Sequence, residues 1–500
     1  MTPVEPLIEA ALTAHGEGRT DEAFDLYGQA LADRPDYLHI SNLPGDATFD
    51  RPKRLVDDKL LDAVIDRLRY PKGAERNAKT LTLLGGFYQL SGDASAAVSA
   101  CQSSSSSDVE TAVSLGLAHL DLHEFDAAVA VLSDAVVRHP GNVRLLNYLG
   151  GAHRSASNFD AAIDSFRLAS RPEFLVAMAN LGSMLREARR YDDAIKVLQQ
   201  VLGHDSAFPK AAYNLCMAYM ATGQDAEAVV AGQRGVADGS APDFEDYNCL
   251  GSALLAHDDY AAALVTFEKS LSLNPRGVTA LAMINGAWAG LGRGDDVRNL
   301  VDFGRFMMPF SIQPPPNFRD LAAFNDALFD HAMAFPEQPG NGRQTLNLVA
   351  TPHGPMVALK QIIDEAVAGY IAQFPDGLDH PFTAYKPQQW DLDVWATRMT
   401  SVEYQFPHIH PHGWVSGIYY PRVPEFTAPL DHKGRVVEFP GHIEFYRFLQ
   451  FSQRPIVSES VRIPAEEGLM VLFPSYFHHT INPFESETMR MSIAFNAMPR

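Results

Sequence analysis

The segment Pro407-His408-Ile409-His410-Pro411-His412-Gly413-Trp414 gathers histidines at ligand spacing, and the distant His479 and Arg490 complete a set with chemical potential. In extended chain, side chains two apart share a face, so His408 and His410 point the same way, with Tyr404 and Phe406 beneath them. Two imidazoles on one strand can grip one ion. A third ligand has to come from a remote strand, and His479 follows Leu472-Phe473-Pro474-Ser475-Tyr476-Phe477-His478, a strand and then a bend. Strand geometry turns the neighbour His478 away. Arg490 opens a run in which Arg490, Ser492, Ala494 and Asn496 face one side and Met491, Ile493 and Phe495 the other. An arginine on an inner face requires an anion. Together these residues meet the needs of a non-haem iron site.

Each residue also has a plainer reading. A strand histidine is commonly structural, histidines beside prolines can sit in surface loops, and Arg490 could pair with Glu485 or Glu487. Trp414, Tyr419, Tyr420 and Phe473 read as core side chains rather than cosubstrate contacts. The joint pattern outweighs these, and the spare arginine favours iron over zinc.

The elements that must position these residues are short strands: 394–400, 415–420, 436–439, 442–445, 461–463, 469–473 and 490–496, separated by Gly, Pro and Asp. Such spacing is expected of an all-β sandwich or jelly roll. Helical patterns at 317–335 and 355–374 flank them, the second with Leu359, Ile362, Ile363, Val367 and Ile371 on one stripe. Before these, Met308-Pro309-Phe310-Ser311-Ile312-Gln313-Pro314-Pro315-Pro316 cannot form a helix or a central strand.

Upstream the sequence repeats. Leu115-Gly116 and Leu149-Gly150 lie 34 residues apart, as do Ala128 and Ala162. Leu181-Gly182, Leu215-Cys216 and Leu250-Gly251 continue the series, with Ala194, Ala228 and Ala263 following in phase. Pro140 and Pro275 close two of the units. A small residue is needed where the helices of a hairpin cross, and Leu132, Phe166, Leu198 or Phe267 fills the groove beside it. These positions resemble the tetratricopeptide repeat. The resemblance extends upstream through Leu84-Gly85-Gly86 with Ala97 to a first unit with Ala23, Tyr27, Ala30 and Pro35, and it weakens between Pro35 and Arg76. It implies a groove that binds a peptide or protein segment; the alternative is an array that only supports the next domain or self-associates.

Composition narrows the function further. At 500 residues and 46% hydrophobic content the chain can hold two or three cored domains, and its net charge of −21 argues against nucleic acid and anionic membranes as partners. Three cysteines without paired spacing, Cys101, Cys216 and Cys249, read as small buried residues. The first residues lack a basic start followed by an apolar run, and no stretch approaches the length of a membrane span. The expectation is a soluble, cytoplasmic protein.

The C-terminal motifs, His408-Ile409-His410-Pro411-His412-Gly413-Trp414-Val415-Ser416-Gly417-Ile418-Tyr419-Tyr420, then Leu472 to His479, then Arg490 to Phe495, resemble those of 2-oxoglutarate/Fe(II)-dependent oxygenases in which a helical repeat array precedes the catalytic domain. The resemblance implies a tetratricopeptide-type solenoid over residues 1–305, a linker at 306–340 and a double-stranded β-helix (jelly-roll) domain with flanking helices at 341–500. It assigns His408, His410 and His479 to iron and Arg490 to the distal carboxylate of 2-oxoglutarate, with Ser492, Tyr404 and Asn496 as further cosubstrate contacts. Fe(II), 2-oxoglutarate and O2 are the implied cofactors, and hydroxylation of a peptide, protein or carrier-bound amino acid is the implied reaction. One departure matters: most of the superfamily has Asp or Glu where this chain has His410. Either His410 is a ligand, or Glu403, Asp431 or Glu444 completes the set, with His410 paired to His412 or orienting the site. The departure keeps two other readings open, a non-catalytic scaffold and a three-histidine dioxygenase that needs no 2-oxo acid. The sequence leaves the oligomeric state undetermined.

Overall fold

The computed structural model describes residues 4–17, 19–32, 58–69, 78–104, 108–208, 210–237, 242–338, 341–378, 380–402, 407–428, 436–448 and 459–500. The chain partitions into two compact units, Met1–Gln224 and Asp225–Arg500.

The first unit is helical throughout its described residues. Its hairpins include Val109–Asp121 with Phe125–Arg138, Val143–Ser155 with Phe159–Ala169, and Leu175–Glu187 with Tyr191–His204. The repeating glycines sit where the helices of a hairpin touch. A Cβ on Gly116 would lie 2.8 Å from Leu132, on Gly150 2.6 Å from the Phe166 ring, and on Gly182 2.6 Å from Leu198. The small-against-large pairing read from the sequence is therefore the actual contact. Ala128, Ala162 and Ala194 are fully buried beside it. Successive hairpins are also tied through polar groups: Asn180 donates to buried Asn147 at 2.9 Å, and Arg154 pairs with Glu187 at 2.8 Å. At the bend inside each hairpin one residue takes a left-handed backbone, as at His123, Ser157 and Arg189 (φ 58°, 59° and 57°). The cysteines Cys101, Cys216 and Cys249 are all buried.

The second unit opens with helices of the same kind, Asp225–Gly235, Phe244–Ala256, Tyr260–Leu273, Val278–Gly290, Gly294–Leu300 and the short Phe303–Phe306. Two further helices follow, Leu321–Ala334 and Pro355–Ala372. Its strands are β1 (Met308–Ser311), β2 (Glu337–Gln338), β3 (Asn341–Thr345), β4 (Trp390–Val402), β5 (Val415–Arg422), β6 (Ile443–Tyr446), β7 (Ser460–Ile463), β8 (Leu469–Pro474), β9 (His478–Ile481) and β10 (Phe484–Pro499). They form two sheets, one in the order β1-β8-β5-β10-β4-β3-β2 and one in the order β7-β6-β9, with antiparallel pairing throughout. β1 is an edge strand, where Pro309 costs no ladder hydrogen bond.

Register sorts the large sheet into two faces. Tyr419, opposite Met470 and Ile493, turns toward the helices, where its hydroxyl bonds Asn325 of Leu321–Ala334. Ser416, Ile418, Asn496, Ala494, Ser492 and Arg490 turn the other way, toward the small sheet. There Phe445 of β6 meets Phe473 of β8 at 4.8 Å between ring centres. One apolar core runs from the helix Phe244–Ala256 through the flanking helices to both sheets.

The strand expected at 436–439 does not form as a ladder. Phe439 adopts φ 55° and the chain turns at Pro440-Gly441, where Gly441 has φ 72°; proline and a left-handed glycine set the bend that leads into β6. The arginine run is longer than expected, because Arg490 lies inside β10 rather than at its start. Among the described residues no helix is long and apolar enough to cross a membrane.

The repeat packing gives the first prediction. Gly150→Val drives two methyl groups into the Phe166 ring and should lower stability by about 1–3 kcal/mol. Urea denaturation measures it, and an unchanged midpoint would contradict the packing described.

Candidate metal centre

The backbone brings the two remote histidine segments together before any side chain acts. His408 N–H donates to the His479 carbonyl at 2.9 Å and His479 N–H returns to the His408 carbonyl at 3.0 Å, an isolated antiparallel bridge between the loop ahead of β5 and strand β9. Directly opposed residues carry their side chains on one side. The His408 and His479 rings lie 4.4 Å apart, and those of His410 and His479 5.0 Å apart. His410 is fixed separately, its N–H donating to the Ser475 carbonyl at 3.0 Å.

The ligand atoms of His408, His410 and His479 all lie within 4.8 Å of one another, and among the described residues they are the one group of three or more that could share an ion. The Nε2 atoms of His410 and His479 are 3.2 Å apart. Two nitrogens held at right angles about 2.1 Å from one metal would be roughly 3.0 Å apart, so this pair is already close to chelating distance. His479 Nδ1 lies 3.0 Å from the Phe477 carbonyl, which holds the proton on Nδ1 and leaves the Nε2 lone pair facing His410. Burial, then the neighbouring imidazoles, pushes His479 well below the usual histidine range, and burial with His408 pushes His410 down to about 3. Both rings are therefore neutral and able to coordinate.

A polar relay surrounds His410. The Ser416 hydroxyl donates to Asn496 Oδ1 at 2.7 Å and lies 2.7 Å from the Ser475 hydroxyl, and the Asn496 side chain bonds His410. Trp395 of β4 stacks on His410 at 5.7 Å and 22°. His479 is enclosed instead by Phe445 and Phe473, at 5.7 and 4.9 Å. Gly413 permits this crowding, since a Cβ there would sit 2.5 Å from the Ser475 hydroxyl.

Arg490 is fully buried on the same inner face. Its Nη1 donates to Ser492 at 3.2 Å, its Cζ lies 5.1 Å over the Tyr420 ring and 5.7 Å from Phe484, and its Nε and Nη2 have no hydrogen-bond partner. Neither Glu485 nor Glu487 reaches it: both are exposed, and no ion pair forms to it among the described residues. An uncompensated guanidinium in such a place costs several kcal/mol. The Tyr420 hydroxyl is buried beside it; burial raises its pKa above the usual tyrosine value, and the guanidinium opposes that shift.

Of the carboxylates considered as substitutes for His410, Glu444 is engaged elsewhere. Its Oε1 accepts from Ser460 at 2.6 Å and Arg462 at 2.8 Å, and it stands opposite Thr480, one position away from His479. Glu403 and Asp431, with the expected cosubstrate contact Tyr404 and with Phe406, lie outside the described residues. His412 is exposed, and His478 is buried but outside the cluster. Asn496 faces His410 and Ser416, while Ser492 alone bonds Arg490.

Tyr420 and Phe473 are core residues as expected, yet they also line the site. Strand parity held the signal: Tyr420 lies four residues from Ser416 and two from Ile418, on the inner face. Trp395 and Phe445 carry no motif, and Ser475, although inside the Leu472–His479 motif, bonds His410 in a way that only the register displays.

Residues 393–496 match the family model described as "Putative 2OG-Fe(II) oxygenase", and residues 113–172 and 185–239 each match a tetratricopeptide repeat model. Among solved structures, MamA is 22% identical over 32% of this chain and 93% of its own, with a TM-score of 0.29. A MamA fragment from Desulfovibrio magneticus RS-1 is 22% identical over 32% and 92%, at 0.30. A tetratricopeptide repeat protein from Parabacteroides merdae ATCC 43184 is 14% identical over 57% and 98%, at 0.36. No curated protein matches the sequence.

His479→Ala removes the imidazole common to both short contacts and should abolish tight binding of Fe(II) or Co(II) with the fold retained. Equilibrium dialysis with circular dichroism checks this. Undiminished metal stoichiometry would contradict the cluster as a binding site.

Proposed function

Since tetratricopeptide repeats precede an oxygenase-family segment in this chain, we propose that it is an Fe(II)- and 2-oxoglutarate-dependent oxygenase that hydroxylates a peptide, protein or carrier-bound amino acid. In this reading the repeat array occupies residues 1–305, a linker 306–340 and a double-stranded β-helix catalytic domain 341–500, and the protein works in the cytoplasm. The observation that carries it is Arg490: a buried guanidinium with two unpartnered nitrogens, on the inner face that also holds the residues around His410.

The donor set suits the metal. Three imidazole nitrogens on one side leave the remaining coordination positions free, the arrangement non-haem iron oxygenases require. When bound, the ferrous centre supplies the coupling of O2 reduction to decarboxylation of 2-oxoglutarate, yielding succinate, CO2 and a hydroxylated C–H bond. The chain's own residues do the rest. His408, His410 and His479 hold the ion. Arg490 takes the far carboxylate of the cosubstrate through Nε and Nη2, a fork that a lysine could not reproduce, while Ser492 steadies Nη1. The Tyr420 hydroxyl is a second donor at that end. Asn496, Ser416 and Ser475 fix the His410 ring, and Phe445 and Phe473 keep water from His479. Three neutral imidazoles leave the centre one unit more positive than two histidines and a carboxylate would. That charge favours an anionic chelating cosubstrate.

Recruitment of the substrate falls to the repeat array, as tetratricopeptide solenoids present extended surfaces for recognition. The chain's net charge of −21 favours a basic segment as the partner.

Arg490→Ala should leave metal stoichiometry intact and raise the 2-oxoglutarate concentration for half-maximal succinate formation by about 100-fold or more, the loss of a bidentate charged contact worth roughly 3 kcal/mol. Succinate release and O2 uptake read it. Iron-dependent O2 uptake without any 2-oxo acid would instead favour a three-histidine dioxygenase, and neither product nor uptake a binding scaffold.

A further inference from the structure

The turn Pro474-Ser475-Tyr476-Phe477 is where the backbone contacts of the metal centre meet. The Ser475 carbonyl takes the His410 N–H, and its hydroxyl joins the Ser416–Asn496 relay. The Phe477 carbonyl takes the His479 Nδ1 proton. Between them stands Tyr476, fully buried, whose side chain leaves the sheets altogether: its hydroxyl donates to the Leu300 carbonyl at 2.7 Å, at the end of the last repeat-type helix. Phe303, just beyond that helix, meets the Phe477 ring edge-on at 5.8 Å.

The same helical end holds the small sheet at a second point. Asn285 of the helix Val278–Gly290 donates to the Arg447 carbonyl at 3.1 Å. Arg447 follows β6 directly, bonds the Val301 carbonyl through Nη1 and lies with its Cζ 4.8 Å over the Phe303 ring. β6 pairs with β9, placing Phe445 opposite His479. Leu300 to Phe303 thus grips both the turn before His479 and the strand beside it.

We infer that the last helices of the repeat region are a positioning element of the metal centre, with Tyr476 and Phe303 as positioning residues acting through the Phe477 carbonyl on His479 and through Ser475 on His410. This rests on the assignment of the three histidines to a metal. Its physical basis is the narrow tolerance of a chelate: a carbonyl that drifts frees the ring it anchors, and loss of such outer partners lowers metal affinity by about 10–100-fold. A consequence is that residues 278–306 cannot be cut away as a mere tether without loosening the ligands.

A matched control exists in the same unit. Tyr370, on Pro355–Ala372, also donates its buried hydroxyl to a carbonyl of this junction, Phe306 O, at 2.6 Å. Its ring packs on Trp414, but its hydroxyl bonds Phe306 rather than the Ser475 or Phe477 carbonyl, so removing the hydroxyl takes away a comparable buried bond while leaving the bonds of those two carbonyls in place. The experiment is Co(II) titration of the full-length protein and of Tyr476→Phe, Phe303→Leu and Tyr370→Phe, reading affinity, the visible ligand-field spectrum and thermal stability. Tyr476→Phe should weaken Co(II) binding about 10-fold and shift the spectrum. Phe303→Leu, which keeps a hydrophobe in the core, should do the same to a smaller degree and serves if Tyr476→Phe does not fold. Tyr370→Phe should lose stability while keeping wild-type affinity and spectrum. Wild-type behaviour in Tyr476→Phe and Phe303→Leu, or an equal loss in Tyr370→Phe, would overturn the inference while leaving the metal assignment standing. A wild-type protein that binds no Co(II) would overturn both.

Discussion

Two reciprocal backbone hydrogen bonds between His408 and His479 are the constraint on which the site depends. They join segments about seventy positions apart in sequence and set the rings side by side. Everything else near them makes that meeting durable. Ser475 anchors His410 from below, Phe477 chooses the tautomer of His479, and Phe445 and Phe473 remove the water that would compete for the lone pairs. Burial keeps the His410 and His479 imidazoles uncharged, which is the state that coordinates.

Arg490 supplies the opposite electrostatic element. A guanidinium without exposure, with Nε and Nη2 unpartnered and no carboxylate among the described residues to neutralise it, costs stability, and such a cost persists where a ligand relieves it. In the proposed function the histidine cluster and this buried cation would act as one bipartite receptor, taking a metal at one end and a carboxylate at the other. The large sheet provides the ruler: Arg490, Ser492, Ala494 and Asn496 alternate inward along one strand, so β10 fixes the spacing between Arg490 and the Asn496 that bonds His410.

Much of this was legible in the sequence because it depends on period. The repeat glycines and their large partners announced the hairpin contacts, and period two along 490–496 gave the inner face that the register displays. Less visible was whatever depended on neighbours remote in the chain. Glu444 is a plausible ligand by type, and only pairing with Thr480, Arg462 and Ser460 removes it. Tyr420 looks like any core tyrosine until Arg490 is placed against its ring. The strand expected at 436–439 fails because Phe439 takes a left-handed backbone on entering the Pro440-Gly441 turn, a conformation that hydrophobicity alone cannot reveal. Nor does any local pattern tell that Tyr476 reaches a carbonyl at Leu300.

The central claim, that metal and 2-oxo acid share one pocket, is tested most directly by anaerobic addition of 2-oxoglutarate to the Fe(II)-loaded protein while its visible absorption is followed. The account predicts a saturable metal-to-ligand charge-transfer band that needs both components and vanishes at the same concentrations in Arg490→Ala. Iron that binds to the histidines while 2-oxoglutarate leaves the spectrum unchanged would contradict it.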